Sequence, residues 1–150
     1  MKEQKITCPR AWNKKRKEYF EIDVINYYKG ECELYNGNIR IWCILKEVSF
    51  EWPTGRPDKN GKMIYQGDIV NVHKFLFDGS EIDENHIGVI TYCSEIAAFK
   101  LDKIKGDFWE KYTGYKSFEY GAPICDLYGL HEESFEIIGN VNESPNLLEV

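Results

Sequence analysis

Apolar and polar residues alternate along much of this chain, which is typical of β-strands that are buried on one face. Residues 39–45 show the pattern most clearly. One set of their side chains is Ile39, Ile41 and Cys43, and the opposite set is Arg40, Trp42 and Ile44. We expect the first set to face a core and the second to be only partly exposed. Similar short segments recur between turn-forming residues, so the pattern predicts a mainly β protein.

The N-terminal region, residues 1–52, is predicted to form antiparallel β-hairpins and a sheet. A strand ending at Asn13 and a strand beginning at Glu18 flank four consecutive cations. These are Lys14, Lys15, Arg16 and Lys17. Like charges are best accommodated at an exposed hairpin tip, where water screens their repulsion. The tip is interpreted either as a phosphate-binding finger, with Trp12 or Tyr19 for stacking, or as a solvated turn that discourages edge-to-edge association.

Further strands are predicted at 24–28, 32–35, 39–45 and 47–52. Between the second and third of these lies Asn36-Gly37. An Asn-Gly pair predicts a two-residue type I′ turn, because both residues adopt positive φ with little strain.

Residues 53–61 are the main break in the pattern and are predicted to be a turn or linker. They contain two Pro, two Gly, an Asp and an Asn. A module follows at 62–150, with a small SH3-like barrel at about 62–142. One compact domain overall is the alternative interpretation. The step Gly67-Asp68 before Ile69 and Val70 predicts a structural turn into the first barrel strand, with Asp68 accepting bonds from local N–H groups.

The rest of the barrel is predicted from shorter signals. An acidic excursion at 75–85 precedes strands at 87–92 and 97–101, and Gly88 is predicted to permit a bend. Closing strands are expected at 124–130 and 134–141, and a short helical turn at 145–149. Residues 102–121 fit either one or two helical turns or a long aromatic loop.

Composition limits the classes of protein that fit. The 150 residues are 43% hydrophobic and 15% aromatic, which excludes a disordered chain and favours sheets. A net charge of -6 argues against a surface that tracks nucleic acid throughout. The five cysteines are scattered and form no Cys-x-x-Cys pair, so reduced thiols are expected. No segment is long and apolar enough for a membrane span or signal peptide, and a cytoplasmic location is predicted.

Several motifs together resemble the YopX family, whose members are proteins of phages and prophages with no known molecular function. The motifs are Arg10-Ala11-Trp12-Asn13, the 54–62 turn running into Ile64-Tyr65-Gln66-Gly67-Asp68-Ile69-Val70, Gly88-Val89-Ile90, Phe135-Glu136-Ile137-Ile138-Gly139-Asn140-Val141 and Glu143-Ser144-Pro145-Asn146-Leu147-Leu148. The resemblance extends over nearly the whole chain in the right order. It implies a β protein with an SH3-like barrel, and no reaction.

No catalytic, cofactor or metal site is predicted. The chain lacks a nucleophile elbow, a phosphate-binding Gly-rich loop and a dinucleotide fingerprint. A metal held by His73 and His86 with a carboxylate of the acidic excursion is conceivable, but dispersed ligands are a weak signal, and solvent-exposed histidines are expected. Asp68 is interpreted as structural rather than catalytic. We therefore expect a non-enzymatic protein.

Binding has the better support. Aromatic residues and lysines are interleaved in the segment that no strand pattern explains. Those expected to contact a ligand or partner, besides the basic tip, are Trp109, Lys111, Tyr112, Tyr115 and Lys116. Such a loop stacks bases and neutralises phosphate, packs against a second copy, or covers the open end of the barrel. The leading hypothesis is a homo-oligomeric binding or assembly module with a phage or host protein as a further partner; the alternative is a weak nucleic-acid binder.

Overall fold

The structure is a computed structural model that describes residues 8–76, 82–95, 97–105, 122–123 and 135–148. Within these ranges the chain forms β-strands and two short 3-10 turns, and no α-helix. The predicted mainly β fold is confirmed. The chain divides into two compact units, Met1–Pro53 and Thr54–Val150.

The first unit contains one five-stranded antiparallel sheet, in the order β4-β3-β2-β1-β5. The strands are β1 (Arg10–Asn13), β2 (Glu18–Asn26), β3 (Glu31–Tyr35), β4 (Arg40–Ile44) and β5 (Val48–Glu51). A 3-10 turn, Leu45–Glu47, connects β4 to β5. The predicted hairpin around the four cations is confirmed, because Asn13 pairs with Glu18 as the last pair of β1 and β2.

One face of this sheet carries its core. The buried members are Ala11, Phe20, Cys32, Leu34 and Val48, and the partly buried members include Ile22, Ile41, Cys43 and Phe50. Alternate residues of a strand lie on the same face, and residues directly opposite one another on paired strands also share a face. Together these two rules account for the set. Ala11, for example, is flanked by Phe20 on one neighbouring strand and Phe50 on the other.

Two details of this sheet differ from the prediction. The separate strand expected at 24–28 is wrong, because β2 continues to Asn26 through an irregularity between Ile22 and Val24. An extra residue there lets the strand keep its pairing with β3 while changing register. The two-residue type I′ turn is also wrong, because Asn36 does not have a positive φ.

A longer loop replaces that turn. Asn36 donates its N–H to the carbonyl of Ile39 at 3.2 Å, and its side-chain oxygen accepts the N–H groups of Asn38 at 3.0 Å and Ile39 at 2.9 Å. Only Gly37 takes the left-handed conformation, with φ of 91°. The asparagine side chain therefore closes the loop in place of a second positive φ.

The second unit contains a two-stranded and a five-stranded sheet. The first pairs β6 (Pro53–Pro57), which begins at the last residue of the first unit, with β7 (Met63–Tyr65). The second has the order β11-β10-β9-β8-β12. Its strands are β8 (Asp68–Leu76), β9 (Ile82–Cys93), β10 (Ala98–Lys105), β11 (Ala122–Pro123) and β12 (Phe135–Asn140). A 3-10 turn follows at Pro145–Leu148.

Several boundaries in this unit differ from the prediction. The segment predicted as a turn or linker at 53–61 includes strand β6. Most of the acidic excursion predicted at 75–85 is strand, because β8 and β9 stay paired as far as Leu76 and Ile82. Among the described strands no pairing joins β11 to β12, so the five-stranded sheet is open. The strand predicted at 124–130 lies outside the described residues.

The core of the second unit combines one face of its larger sheet with Ile64 of β7. Its buried members are Ile64, Val70, Val72, Ile90, Leu101 and Phe135. Gly88 lies beside this core, opposite Val70 in the β8–β9 pairing. A methyl group at position 88 would lie 2.7 Å from Cγ of Leu101 and 3.1 Å from the carbonyl oxygen of Asp102. Gly88 thus makes room for Leu101, which is a different role from the predicted bend.

We predict that Gly88→Ala lowers the free energy of unfolding by about 1–3 kcal/mol, because the added methyl overpacks a side chain that is fully buried. Urea unfolding of Gly88→Ala, Leu101→Ala and the double variant measures the effect and its cause. Removing the leucine side chain should relieve the clash, so the two losses should be less than additive. Additive losses would show that Leu101 is not the obstacle.

Candidate functional site

The basic tip comprises Lys14, Lys15, Arg16 and Lys17, and it is shaped by Asn13. The side-chain oxygen of Asn13 accepts the N–H groups of Lys15 at 3.1 Å and Arg16 at 2.8 Å. Its carbonyl accepts the N–H of Lys17 at 2.8 Å, and Lys17 adopts a left-handed φ of 56°. Asn13 is itself buried. A buried acceptor therefore holds four exposed cations in one defined turn.

A fifth cation joins the tip from a distant part of the sequence. The N–H of Lys14 donates to the carbonyl of Glu47 at 2.9 Å, and its Nζ lies 3.4 Å from the carbonyl of Lys46. These contacts bring the 3-10 turn with the exposed Lys46 beside the tip. Glu18 offsets part of the charge, because its carboxylate lies 3.5 Å from Nε of Arg16. Sequence spacing could not reveal Lys46, since the sheet order alone makes the two turns neighbours.

A compact cluster of rings and charges lies on the face of the sheet opposite its core. Arg10 Nε donates to Oε1 of Glu51 at 2.8 Å, and the Tyr19 hydroxyl donates to the same oxygen at 2.9 Å. The Arg10 guanidinium lies 4.6 Å from the centre of the Tyr19 ring, and the Trp12 and Tyr19 ring centres are 4.8 Å apart. Trp12 is buried, so it offers no open ring for the stacking that the sequence suggested.

The same face continues over β2, β3 and β4, and there it is partly apolar. Trp42 is 61% exposed and Ile44 48%, and both lie on the edge strand β4. Val24 and Tyr35 are also exposed on this face. The pairing places Val24, Glu33 and Trp42 in one row across the three strands. Alternation correctly predicted that Arg40, Trp42 and Ile44 share this face, but it underestimated how far Trp42 and Ile44 are exposed.

Charged residues border these apolar side chains. Arg40 forms ion pairs with Asp23 and with Glu33, the latter at 3.4 Å. Its guanidinium also lies 5.1 Å from the centre of the Tyr35 ring. A group of apolar side chains with a polar border is typical of protein–protein interfaces.

Gly67 and Asp68 are the pair predicted as a structural turn. Gly67 lies between β7 and β8, and Asp68 is the first residue of β8. Gly67 has a φ of 89°, donates its N–H to the carbonyl of Ile90 at 2.7 Å and accepts the N–H of Val141 at 2.9 Å. The Asp68 side chain is buried, and its Oδ2 accepts the N–H of Tyr65 at 2.8 Å. Through this hydrogen bond, the Asp68 side chain stabilises the turn that leads into β8.

Asp58 is a second buried carboxylate, and the sequence indicated only that it lies in a turn. Its Oδ1 accepts the N–H groups of Asn60 and Lys62, each at 2.9 Å. Its Oδ2 accepts the N–H of Ile137 on β12 at 3.1 Å. The neighbouring Lys59 donates its N–H to the carbonyl of Phe135 at 2.8 Å. The carboxylate thus joins the turn between β6 and β7 to a strand far along the chain.

These contacts change the acidity of Asp58. Burial by itself would raise the pKa of this carboxyl, because it disfavours the charged form. The N–H donors of Lys62, Ile137 and Asn60, together with the positive charge of Lys62, outweigh burial and lower the pKa below its usual value. The turn therefore favours an ionised Asp58.

Other predicted site residues cannot be placed in this way. The aromatic and lysine residues of the unassigned segment lie outside the described residues; they are Trp109, Lys111, Tyr112, Tyr115 and Lys116. The side chains of His73, His86 and His131 are also outside what the structure describes. Among the side chains that it does describe, no group of three or more His, Cys, Asp or Glu residues is arranged to hold a metal ion.

In the part of the chain that the structure describes, the protein is mainly β. Two buried carboxylates accept backbone N–H groups in turns, and the first unit exposes a basic tip and a partly apolar sheet face. The YopX protein family matches residues 10–149, and the chain belongs to this family. The resemblance seen in the sequence is thereby confirmed. No curated protein matches the chain.

A solved structure is also similar, the crystal structure of protein EF1440 from Enterococcus faecalis. It is 22% identical, the alignment covers 96% of this chain and 99% of that one, and the TM-score is 0.49. In the part of the chain that the structure describes, no helix is long and apolar enough to cross a membrane.

We predict that Asp58→Asn lowers the free energy of unfolding at pH 7 by about 1–3 kcal/mol, because the amide replaces a charged acceptor and turns a donor towards backbone N–H groups. The pKa of Asp58 is lower in the folded than in the unfolded chain, so its ionisation stabilises the fold above the unfolded pKa. This contribution is lost as the pH falls through the folded pKa.

Urea unfolding of the wild-type protein and of Asp58→Asn, from pH 7 down to about pH 3, measures the difference in their free energies of unfolding. The gap between them should narrow below about pH 4. Glu136→Gln is the control, because Glu136 forms an exposed ion pair with Lys59 at 2.9 Å and should change stability by less than about 1 kcal/mol. If the difference in free energy of unfolding does not vary with pH, ionised Asp58 does not stabilise the fold as proposed.

Proposed function

We propose that this YopX-family chain is a phage-encoded, non-enzymatic binding or assembly module that acts in the cytoplasm of the host cell as a homo-oligomer. The observation that carries the proposal is the partly apolar outer face of β2, β3 and β4. Family membership supports the phage origin, through the resemblance described above. The engagement of Asp58 and Asp68 with backbone N–H groups supports a structural rather than a catalytic role for these carboxylates.

Trp42 and Ile44 are exposed on the same face of β4, and this supports the proposal that a partner binds there. A partner that covers these side chains removes a large apolar area from water. The favourable free energy is about 25 cal/mol for each Å² that is buried. Trp42 is a residue type that often dominates binding energy at interfaces. Arg40, Asp23 and Glu33 provide the polar border that would set the orientation of a partner.

The edge position of β4 supports a second source of binding energy. Among the described strands, β4 pairs only with β3, so its outer backbone groups face away from the sheet. A strand added at such an edge forms main-chain hydrogen bonds while its side chains extend the apolar face. Trp42 lies at the centre of β4, with two residues on either side of it.

A second copy of the chain fits this edge better than an unrelated strand. If two β4 strands pair antiparallel about Trp42, Arg40 of each strand lies opposite Ile44 of the other, and the two tryptophans lie together. The same patch is then used by both copies, as in a two-fold symmetric dimer. The two sheets would join into one continuous sheet, in which neither β4 strand is a free edge.

We predict that the protein self-associates at micromolar concentrations and that Trp42→Glu raises the dissociation constant at least about tenfold, because it places a charge where an aromatic ring is covered. Sedimentation across a concentration series measures this. Tyr28→Ser is the matched control, since Tyr28 is 99% exposed in the turn after β2 and lies off this face. A wild-type protein that stays monomeric at every concentration would overturn the homo-oligomer.

The basic tip favours a second candidate function, weak binding of nucleic acid. Five exposed cations meet at one end of the sheet, because Lys46 joins Lys14, Lys15, Arg16 and Lys17. Phosphate binding needs no base-specific contact, and cations concentrated in one place supply it. Burial of Trp12 limits stacking beside the tip, which makes sequence-independent contact with the backbone the better match.

For this second function we predict salt-dependent retardation of single- and double-stranded DNA and RNA. The double variant Lys15→Ala/Arg16→Ala should weaken binding and reduce the slope of log K against log salt by about 2, because two phosphate contacts are lost. Lys29→Ala is the control, an exposed cation in another turn of the same unit. If the protein binds no nucleic acid even at low salt, this second function is excluded. The proposal of an assembly module does not depend on that result.

A further inference from the structure

Cys32 and Cys43 form a cross-strand pair in the first unit. They lie directly opposite one another on β3 and β4, and their Sγ atoms are 3.5 Å apart. Both are free cysteines, so no disulfide joins them in this structure. They are eleven positions apart in the sequence, joined by the loop that Asn36 closes.

The strand register determines which kind of pair this is. On one side of the pair the N–H of Leu45 donates to the carbonyl of Gly30 at 2.9 Å, and on the other the N–H of Asn36 donates to the carbonyl of Ile39. Hydrogen-bonded and non-hydrogen-bonded pairs alternate along an antiparallel ladder, so Cys32 and Cys43 occupy a hydrogen-bonded pair. Cα atoms in such pairs are about 5.5 Å apart, which is within the range that a disulfide spans.

The two sulfurs have different surroundings. Cys32 is fully buried in the core of the sheet, whereas Cys43 is half-buried on the edge strand. Burial, and then the hydrogen bond with Cys43 and its charge, raise the pKa of Cys32 to about 12. Cys32 is therefore a protonated thiol at neutral pH, and Cys43 is the less buried residue of the two.

Cys93 has different surroundings from this pair. Cys93 is also buried, but it lies opposite Ala98 on the neighbouring strand, and its thiol donates to a carboxylate oxygen of Glu95 at 3.2 Å. Cys8 is exposed. In the part of the chain that the structure describes, Cys32 and Cys43 are the two thiols held against each other.

We propose that Cys32 and Cys43 are an oxidation-sensitive dithiol that closes to an intrachain disulfide when a peroxide oxidises Cys43. The sulfur of Cys43 attacks one peroxide oxygen, the O–O bond breaks, and a sulfenic acid and water (or an alcohol) form. The sulfur of Cys32 then attacks the sulfenic sulfur, the S–O bond breaks, and the hydroxyl leaves as water with the proton of Cys32. Two thiols are oxidised and one peroxide is reduced.

The consequence would be local. A bond between Cys32 and Cys43 links the edge strand β4 covalently to its neighbour and closes the loop at 36–39. The edge strand can then no longer separate from β3. This inference does not depend on the proposed function, because it concerns the hairpin within one chain.

The experiment is peptide mapping of the full-length protein after treatment with hydrogen peroxide. Trypsin cleaves after Lys29, Arg40 and Lys46, so Cys32 and Cys43 fall on separate peptides, 30–40 and 41–46. A disulfide leaves these peptides linked, with the loss of two hydrogens, and a reductant separates them. We expect the linked pair to exceed any other cysteine pairing at least about tenfold, because the two thiols are already in contact.

Cys93→Ser is the matched control, and it should still yield the linked pair. Cys43→Ser should abolish the pair and leave Cys32 resistant to peroxide, since a buried thiol then has no oxidised neighbour. The wild-type measurement decides the question even if a variant fails to fold. If Cys32 and Cys43 remain separate thiols after the exposed Cys8 has been oxidised, or pair at random with other cysteines, the proposal is wrong.

Discussion

The Asp58 carboxylate is the contact on which the second unit depends most. It accepts N–H groups from two residues of its own turn and one from Ile137, which is 79 positions away. Strands β6 and β7 form a sheet of only two strands, and such a pair is marginal by itself in water. Bonds to β12 connect this pair to the five-stranded sheet, and a charged acceptor makes them stronger than neutral ones.

Short polar side chains close turns in the same way elsewhere in the molecule. Asn13 accepts two N–H groups at the basic tip, Asn36 two in the next hairpin, and Asn140 two in the C-terminal turn, from Asn142 at 3.0 Å and Glu143 at 2.9 Å. A fold with little helix has many loops whose N–H groups lack a regular partner. Side-chain acceptors satisfy them locally, so each turn has a single geometry.

Alternation in the sequence was enough to predict the mainly β fold, the first hairpin and both faces of β4. It failed where the deciding contact lies far away in the chain. Lys46 reaches the basic tip only because β1 lies between β2 and β5, and Gly88 is needed only because Leu101 packs over it.

The bulge in β2 and the four-residue loop at Asn36 depend on local bonds that composition does not distinguish from a regular strand or a tight turn. The pairing of Cys32 with Cys43 follows from register, which spacing alone does not determine.

The motifs by which this sequence resembles the family lie mostly in turns and cores of the structure, and not on the exposed face of β2, β3 and β4. Gly67 and Asp68 are committed to backbone hydrogen bonds, Asn13 is buried under the tip that it shapes, and Gly139 leaves space for the C-terminal turn, where a methyl group would lie 2.8 Å from Leu147 Cδ1. A relative could keep all of these and still differ at Trp42 or at the cations of the tip. These motifs therefore account for the scaffold, and the binding proposed above depends on other side chains, those that the edge strand and the hairpin tip expose.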